Sequence, residues 1–254
     1  MGKTSVLKKY IILAFSCLSC LSTQGQDSLQ VDSLYYIPDK GLKFSSQQII
    51  LPASLALIGT YLAIDGSLDK KISEKIIEKD FKKTRIDDFL LFGPGATVYA
   101  LGFAGIKGKH NFVDKTVIYG TASFLAFASS ESLKSITGVE RPDHSANNSF
   151  PSGHTALAFA GAEFLRQEYK DQSIWYGIAG YSMASCTGLM RIYNNRHWSS
   201  DILVGAGVGI ISTKISYWIH PQLSKLYKRK SSLQALVLPY YTPYDCGISM
   251  SATF

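Results

Sequence analysis

Six apolar segments, rich in Ala, Gly and Leu, dominate this sequence. Each is longer than a typical β-strand, and an apolar run of that length favours a helix. The segments lie at about residues 49–64, 89–106, 116–129, 155–165, 174–190 and 202–219. The pattern predicts an all-α fold, a six-helix bundle that occupies residues 46–220.

Two further regions differ in character from the apolar segments. Residues 67–85 mix Lys, Asp and Glu with Ile and Phe at helical spacing, which predicts a solvated amphipathic helix rather than a binding site. Residues 221–254 begin as a basic segment and end in β-branched and aromatic residues, broken by Pro239, Pro243 and Gly247. That composition predicts a short tail resembling a β-hairpin.

The amino terminus has the layout of a secretory signal peptide. Three lysines precede an apolar run at residues 10–21, and small or polar residues follow it. We predict a signal peptide over residues 1–25 and a linker over residues 26–45. The alternative is a short uncleaved anchor, although the run is shorter than the ~20 residues that span a bilayer. Cleavage would leave two cysteines, Cys186 and Cys246, which give no disulfide framework.

Two arrangements of the six segments fit the sequence, a membrane-spanning bundle and a tightly packed peripheral or soluble bundle. None of the segments is a clean run of twenty apolar residues, and Glu163 and Lys214 lie well inside two of them. Gly and Ala suit close helix packing in either environment.

Composition and charge narrow the class of protein. A chain of 254 residues that is 46% hydrophobic and 18% charged can build one domain with a full core. The formal charge of +7 is scattered along the sequence rather than gathered into a stripe with aromatic residues, so nucleic acid is not an expected partner. An anionic substrate or an acidic membrane surface fits the charge.

Three short blocks in the second half of the sequence combine basic residues, histidines and one carboxylate. In chain order they are Lys134 with Arg141-Pro142, then Pro151-Ser152-Gly153-His154, then Arg191, His197 and Asp201. Each block alone is a weak signal, but all of them in this order and spacing are improbable by chance.

The blocks suit phosphate chemistry. A phosphate ester repels nucleophiles, so a catalyst needs donors where charge grows on the phosphoryl oxygens in the transition state. Lys134, Arg141 and Arg191 can supply this clamp, and Arg can donate two hydrogen bonds to one phosphate. Ser152 and Gly153 precede an apolar segment, where free backbone amides and the helix dipole favour an anion. We therefore predict these five residues as the phosphate-binding set.

The two histidines and the carboxylate divide the catalytic work. A neutral imidazole can attack phosphorus when a carboxylate holds its other nitrogen. Asp201 follows His197 by four residues, a spacing that places both on one face of a helical turn. We predict His197 as the nucleophile, Asp201 as its orienter and His154 as the general acid and base. No cofactor or metal is expected, because no histidine pair has zinc-binding spacing and no carboxylates converge near the blocks.

This arrangement resembles the signature of the type 2 phosphatidic acid phosphatase superfamily, which includes non-specific acid phosphatases, glucose-6-phosphatase and vanadium haloperoxidases. The resemblance covers about residues 46–220 and implies a six-helix bundle of that kind. It departs at Met190, where the family usually has Ser before the Arg of the third block. That substitution affects the fine geometry expected for the pocket and not the nucleophile.

The resemblance implies a metal-independent phosphomonoesterase that forms a phosphohistidine. Apolar surroundings favour a phosphorylated lipid as the substrate, with lipid A first and undecaprenyl diphosphate or phosphatidylglycerol phosphate next. The alternatives are a soluble periplasmic non-specific acid phosphatase, a vanadium haloperoxidase, or an envelope protein that only binds phospholipid.

The expected location is the Gram-negative cell envelope, with the protein associated with the membrane and its site facing the periplasm. A cleaved signal peptide and a tail that ends in Phe favour this location. Three membrane crossings before Lys134 would instead place the blocks in the cytoplasm. We therefore expect that not every apolar segment crosses the membrane.

Overall fold

The structure, a computed structural model, describes residues 47–78, 84–228, 234–241 and 246–253. These residues form eight helices and a two-stranded sheet. The helices are α1 (Gln47–Asp65), α2 (Ser67–Glu78), α3 (Ile86–Leu90), α4 (Gly93–Phe103), α5 (Phe112–Thr137), α6 (Gly153–Tyr169), α7 (Ile174–Tyr193) and α8 (Ser199–Lys228). The all-α prediction is confirmed, with eight helices rather than six in the described residues.

One predicted helix is divided in two. The apolar segment 89–106 was expected to be continuous, but α3 ends at Leu90 and α4 begins at Gly93. Pro94 explains the restart, because its ring fixes a helical φ angle and its missing N–H costs nothing in a first turn. The short α3 is thereby oriented independently of α4.

The tail forms a hairpin where the sequence predicted one. Strand β1 (Gln234–Tyr241) pairs with β2 (Cys246–Thr253) in antiparallel register, from Gln234 opposite Thr253 to Tyr241 opposite Cys246. The predicted signal peptide (1–25) and linker (26–45) lie outside the described residues and stay predictions.

Helix α6 is the centre of the bundle. It packs against α4, α5, α7 and α8, and every residue from 160 to 165 is buried. Phe164 stacks on Tyr119 of α5, with ring centroids 5.0 Å apart and planes 10° from parallel. Because α6 is surrounded by helices, its first turn has a fixed position at one end of the bundle.

Glycines bring α8 unusually close to α6. A Cβ atom added to Gly209 would lie 2.2 Å from the carbonyl oxygen of Ala156, and one on Gly205 would lie 2.6 Å from that of Ser152. Such distances are well inside van der Waals contact, so only glycine fits at these positions. The first turns of α6 and α8 are therefore held side by side.

A buried carboxylate links three helices in the middle of the bundle. Glu163 of α6 accepts hydrogen bonds from Arg166, Gln167 and the hydroxyl of Tyr181 on α7. Lys214 of α8 lies 3.0 Å from the same carboxylate. The sequence placed Glu163 and Lys214 within apolar segments, and the structure shows that they neutralise each other there.

Large apolar side chains are exposed over much of the outer surface. On α1 the exposed fraction reaches 72% for Leu57 and 82% for Ile64, and on α4 it reaches 83% for Phe103. Within the described residues, two helices are long and apolar enough to cross a membrane, Gln47–Asp65 and Ser199–Tyr227, each with a mean hydropathy of 1.5. The first is largely exposed and the second is more than half buried.

Candidate active site

The amino-terminal turn of α6 forms one wall of the site. Ser152 is the N-cap residue, and its hydroxyl accepts a hydrogen bond from the backbone N–H of Thr155 at 3.4 Å. Its own N–H donates to the carbonyl oxygen of Asp201 at 3.1 Å. This bond joins the second and third sequence blocks directly.

The predicted nucleophile lies beside its predicted orienter. His197 is buried just before α8, and its Nδ1 lies 3.3 Å from Oδ2 of Asp201 in the first turn of that helix. Two further donors hold the same oxygen, the Ser149 hydroxyl at 2.5 Å and the Trp198 backbone N–H at 2.9 Å. These bonds place the imidazole proton on Nδ1, because Oδ2 can only accept, and they direct Nε2 away from Asp201.

An open pocket of about 390 Å³ brings the three blocks together, but the buried His197 and Asp201 are not among its lining residues. It is lined by Arg141, His154 and Arg191, one residue from each of the three blocks. Among the described residues, the buried Nε–H groups of Arg141 and Arg191 have no acceptor. Unsatisfied cationic donors are costly to bury, so a pocket of this kind favours an anion.

The remaining predicted phosphate ligands do not line this pocket. A Cβ atom on Gly153 would meet Nζ of Lys134 at 3.4 Å, so the lysine reaches the first turn of α6. Its observed ion pair, however, is with Glu131, one turn earlier on α5, at 2.6 Å. Lys134, Ser152 and Gly153 are therefore adjacent to Arg141, His154 and Arg191 but do not line the same surface.

Two aspartates in the pocket were missed by the sequence reasoning. Asp87 of α3 is buried, and its carboxylate bonds to Nη1 of Arg191 at 2.5 Å and to the side-chain amide of Asn194 at 3.0 Å. Asp88 lies 3.0 Å from Nε2 of His154 and 3.8 Å from Nη1 of Arg191. Arg191 was predicted as a phosphate ligand, and in the structure its guanidinium is also paired with Asp87.

A sequence signal for these aspartates existed. Two consecutive acidic residues stand at the boundary between the charged segment 67–85 and the apolar segment 89–106. Neither segment included them, so they were assigned no role. Their partners are His154 and Arg191, far along the chain, and no local pattern could identify that pairing.

The charged segment also contributes more than a solvated face. Asp69 of α2 is buried and accepts hydrogen bonds from the hydroxyls of Ser199 and Ser200, both at 2.5 Å, and from the Ser200 N–H at 3.1 Å. It caps the amino terminus of α8, where the helix dipole favours a negative charge. The segment was predicted as a solvated amphipathic helix, and Asp69 lies on its buried face. The turn that Asp69 caps is the one that holds Asp201.

Burial lowers the pKa of both histidines, and a neighbouring carboxylate opposes that effect in each case. Burial lowers the pKa of His197, and Arg191 and Arg141 lower it further against the opposing effect of Asp201. A neutral imidazole, the form required of a nucleophile, is therefore favoured near pH 7. Burial and Arg191 also lower the pKa of His154, but Asp88 opposes them and stabilises its protonated form.

Within the described residues, no group of three or more His, Cys, Asp or Glu side chains has an arrangement that could hold a metal ion. The site instead offers a buried histidine with a fixed proton, a second histidine paired with a carboxylate, and two arginines with unsatisfied donors. This set can bind a tetrahedral oxyanion and can exchange a proton with it.

Residues 115–225 match the family model of the PAP2 superfamily. All three blocks lie within this range. These residues are therefore similar to the type 2 phosphatidic acid phosphatase superfamily, and the resemblance drawn from the blocks is confirmed.

Three curated proteins share part of this sequence. Lipid A 1-phosphatase of Porphyromonas gingivalis is 41% identical over 137 residues, which are 54% of this chain and 31% of that protein. The bacitracin transport permease protein BcrC of Bacillus licheniformis is 32% identical over 89 residues, 35% of this chain and 42% of that protein. A probable diacylglycerol pyrophosphate phosphatase of Schizosaccharomyces pombe is 36% identical over 86 residues, 30% of each chain. The chain thus spans 30% to 42% of the length of these relatives.

Two crystal structures are similar to this one. LpxE of Aquifex aeolicus is 25% identical with a TM-score of 0.45, and the match covers 59% of this chain and 94% of that chain. A transmembrane PAP2-type phosphatidylglycerolphosphate phosphatase of Bacillus subtilis is 20% identical with a TM-score of 0.41, covering 72% of this chain and 98% of that chain.

Proposed function

We propose that the protein is a metal-independent phosphomonoesterase that acts through a phosphohistidine on His197. The observation on which the proposal rests is the convergence of one residue from each block on a single pocket. Two of these residues, Arg141 and Arg191, act electrostatically on a buried histidine that lies 3.3 Å from Asp201. The protonated arginines supply the positive charge that a metal supplies in other phosphatases.

In the first step, Nε2 of His197 attacks phosphorus with its lone pair. The bond between phosphorus and the ester oxygen breaks, and its electron pair leaves with that oxygen. His154 donates a proton to the leaving oxygen, so the alcohol departs neutral. The positive charge that develops on His197 is stabilised by Asp201, while Arg141 and Arg191 neutralise the phosphoryl oxygens.

In the second step, His154 is the base. It removes a proton from a water molecule, whose oxygen attacks phosphorus as the N–P bond breaks. The electron pair of that bond returns to His197, and inorganic phosphate leaves. His154 ends the cycle protonated, as it began.

The proposed substrate is the phosphate of an envelope lipid, with lipid A first. The relative from Porphyromonas gingivalis is named lipid A 1-phosphatase, and its 41% identity over 137 residues supports this choice. The exposed apolar side chains of α1 and α4 also support a lipid environment. Release of phosphate from lipid A, undecaprenyl diphosphate and phosphatidylglycerol phosphate by the purified protein ranks these candidates, and a preference for soluble esters would favour the non-specific acid phosphatase.

We further propose that the protein is membrane-associated in a Gram-negative envelope, with the site facing the periplasm. Ser145 lies in the exposed loop between α5 and α6 beside the pocket. A Ser145→Cys variant in intact spheroplasts should react with a membrane-impermeant thiol reagent. Labelling only after lysis would place the site on the cytoplasmic side and reject this orientation.

The nucleophile is tested by substitution. His197→Ala should abolish turnover without loss of fold, and Asp201→Asn should cause a smaller but large loss because the ring is misoriented. Vanadate should inhibit the wild type as a phosphate mimic, and EDTA should have no effect. Full activity of purified His197→Ala protein would refute the assignment.

The role of His154 is tested with two leaving groups. Nitrophenolate leaves almost unaided, so His154→Ala should slow the first step much less with nitrophenyl phosphate than with an alkyl phosphate. The second step loses its base in both cases, and an acid-labile phosphate on His197 should accumulate after a burst of nitrophenol. Equal losses with no trapped intermediate would show that His154 mainly binds phosphate.

A further inference from the structure

A second cavity lies at the opposite end of α6 from the candidate active site. It has a volume of about 690 Å³ and forms an open groove between α6 and α7. On its α7 side, Ile174, Gly177, Ile178 and Tyr181 form a helical stripe at spacings of three and four residues, and Ser182 and Ser185 line the far end. Nothing in the proposed catalytic steps uses this groove.

The stripe on α7 offers an apolar track. Ile174 is 72% exposed and Ile178 is 45% exposed, so the track is open to the surroundings. Gly177 lets α7 approach the stem of Arg166, since a Cβ there would lie 2.9 Å from Cγ of that residue. The floor of the groove is therefore aliphatic beneath the guanidinium group.

Cations stand at one end of the track. Arg166 and Lys170 both line the groove. The guanidinium of Arg166 is paired with Glu163, but within the described residues Lys170 has no carboxylate at ion-pair distance. Ser173, the N-cap residue of α7, lies at the same end and adds the positive end of that helix dipole.

The charges around Lys170 leave it without full compensation. Arg166 and Lys109 are the neighbouring cations, and Asp171 and Glu163 are the neighbouring anions. Glu163 is already bonded to two cations, Arg166 and Lys214. Partial burial lowers the pKa of Lys170, which means that its protonated form is disfavoured. An anion bound beside it would stabilise that form.

The position of the groove matches a membrane interface. Helix α6 has 17 residues, which corresponds to a length of about 25 Å. The hydrocarbon core of a bilayer is about 30 Å thick. If α6 lies across the membrane, as the proposed membrane association allows, the active site and Lys170 lie at opposite interfaces.

We propose that the groove between α6 and α7 binds one anionic phospholipid from the leaflet opposite the active site. Its phosphodiester contacts Lys170 and Arg166, and one acyl chain lies along Ile174 and Ile178. The proposal rests on the membrane association in the proposed function and not on the phosphatase chemistry. A phosphodiester such as phosphatidylglycerol is no substrate for a phosphomonoesterase, so binding and turnover can be measured separately.

Trp175 provides a reporter beside the groove. It lies next to Ile174 and is 70% exposed. The full chain would be reconstituted in bilayers that contain brominated phosphatidylglycerol or brominated phosphatidylcholine, and the quenching of tryptophan fluorescence would be compared at equal mole fraction. Subtracting the signal of a Trp175→Phe variant isolates this residue.

The wild type should prefer phosphatidylglycerol by about five-fold, the usual contribution of one lysine at an anionic surface. Lys170→Gln should reduce the preference to about one-fold. The matched control is Lys225→Gln, which removes an exposed lysine near the carboxyl end of α8 and outside the groove, and it should keep the preference. Nitrophenyl phosphate turnover should be unchanged in both variants.

Several outcomes would overturn the proposal. Equal quenching by the two lipids in the wild type would do so, as would a preference retained by Lys170→Gln or lost equally in Lys225→Gln. Displacement by millimolar inorganic phosphate would indicate a site for free anions instead. His197→Ala protein should retain the lipid preference, so a failure of the proposed catalysis would leave this inference standing.

Discussion

The close contact between α6 and α8 can be tested with one methyl group. Gly209→Ala places a Cβ 2.2 Å from the carbonyl oxygen of Ala156 and 2.9 Å from the backbone nitrogen of Ala160. Both neighbours are backbone atoms of a helix, so no side-chain rotation can relieve the overlap. The two helices must separate by about 1 Å to reach the 3.3–3.6 Å of an ordinary C···O contact.

The expected cost follows from two opposing terms. Overpacking costs about 3 kcal/mol when the contacted atoms cannot move aside. Replacing Gly by Ala within a helix stabilises the folded protein by about 1 kcal/mol, because Ala has the higher helix propensity. The net loss is about 2 kcal/mol, which corresponds to a fall in Tm of about 4–8 °C for a domain of this size.

Gly120 provides the matched control. It lies within α5, and a Cβ atom there would have nothing within 4 Å. Gly120→Ala should therefore stabilise the protein by up to about 1 kcal/mol through helix propensity alone. The two variants differ only in what the added methyl group meets.

Thermal unfolding of purified protein, followed by circular dichroism at 222 nm, measures both effects. Turnover of nitrophenyl phosphate should also fall in Gly209→Ala, because a displacement of about 1 Å between catalytic groups can reduce a rate about 100-fold. Equal stability of the two alanine variants would refute the reasoning, since it would mean that α8 does not lie against the backbone of α6.

Three further predictions concern single side chains. Asp88→Asn removes the charge that raises the pKa of His154, so the loss of kcat/KM for an alkyl phosphate with rising pH should begin at a lower pH; an unmoved profile would contradict the pairing. Glu163→Leu leaves the mostly buried Lys214 and the partly exposed Arg166 without their shared carboxylate and should destabilise the fold by about 3 kcal/mol, which denaturant unfolding would detect. Ser149→Ala removes a hydrogen bond to the Asp201 carboxylate and should reduce kcat by roughly ten-fold with little change in KM, and a change confined to KM would argue against positioning.

The helices could be predicted from the sequence because a long apolar run is a local feature that can be recognised without knowing its tertiary contacts. Five of the six predicted segments each correspond to one long helix. The other, residues 89–106, is divided just before Pro94, and that proline was a local sequence signal for the break. The roles assigned to His154, His197 and Asp201 stay predictions. Their proximity can be explained by where the blocks lie on the helices. Each block lies at a helix end, and the ends of α6 and α8 meet.

The partners of those residues could not be predicted in the same way. Asp87 and Arg191 are 104 positions apart, and Ser149 and Asp201 are 52 apart. No periodicity connects such pairs, because their contact depends on how α3 packs against α7 and how α8 packs against α6. The buried Asp69 was hidden for a related reason, since a single inward carboxylate does not change the average character of a charged segment.

The aspartates of α3 affect how a substrate would be found. Around the pocket, four arginines (Arg85, Arg141, Arg191 and Arg196) stand beside four carboxylates (Asp87, Asp88, Asp143 and Asp201), and the predicted phosphate ligand Lys134 is paired with Glu131. Opposite charges in equal number produce little field beyond a Debye length of about 10 Å, so long-range steering of an anionic ester is weak. Capture then depends on encounters at short range, and the association rate should vary little with ionic strength. A lipid that diffuses in the plane of a membrane already supplies such encounters, whereas a soluble phosphate ester has to arrive by chance.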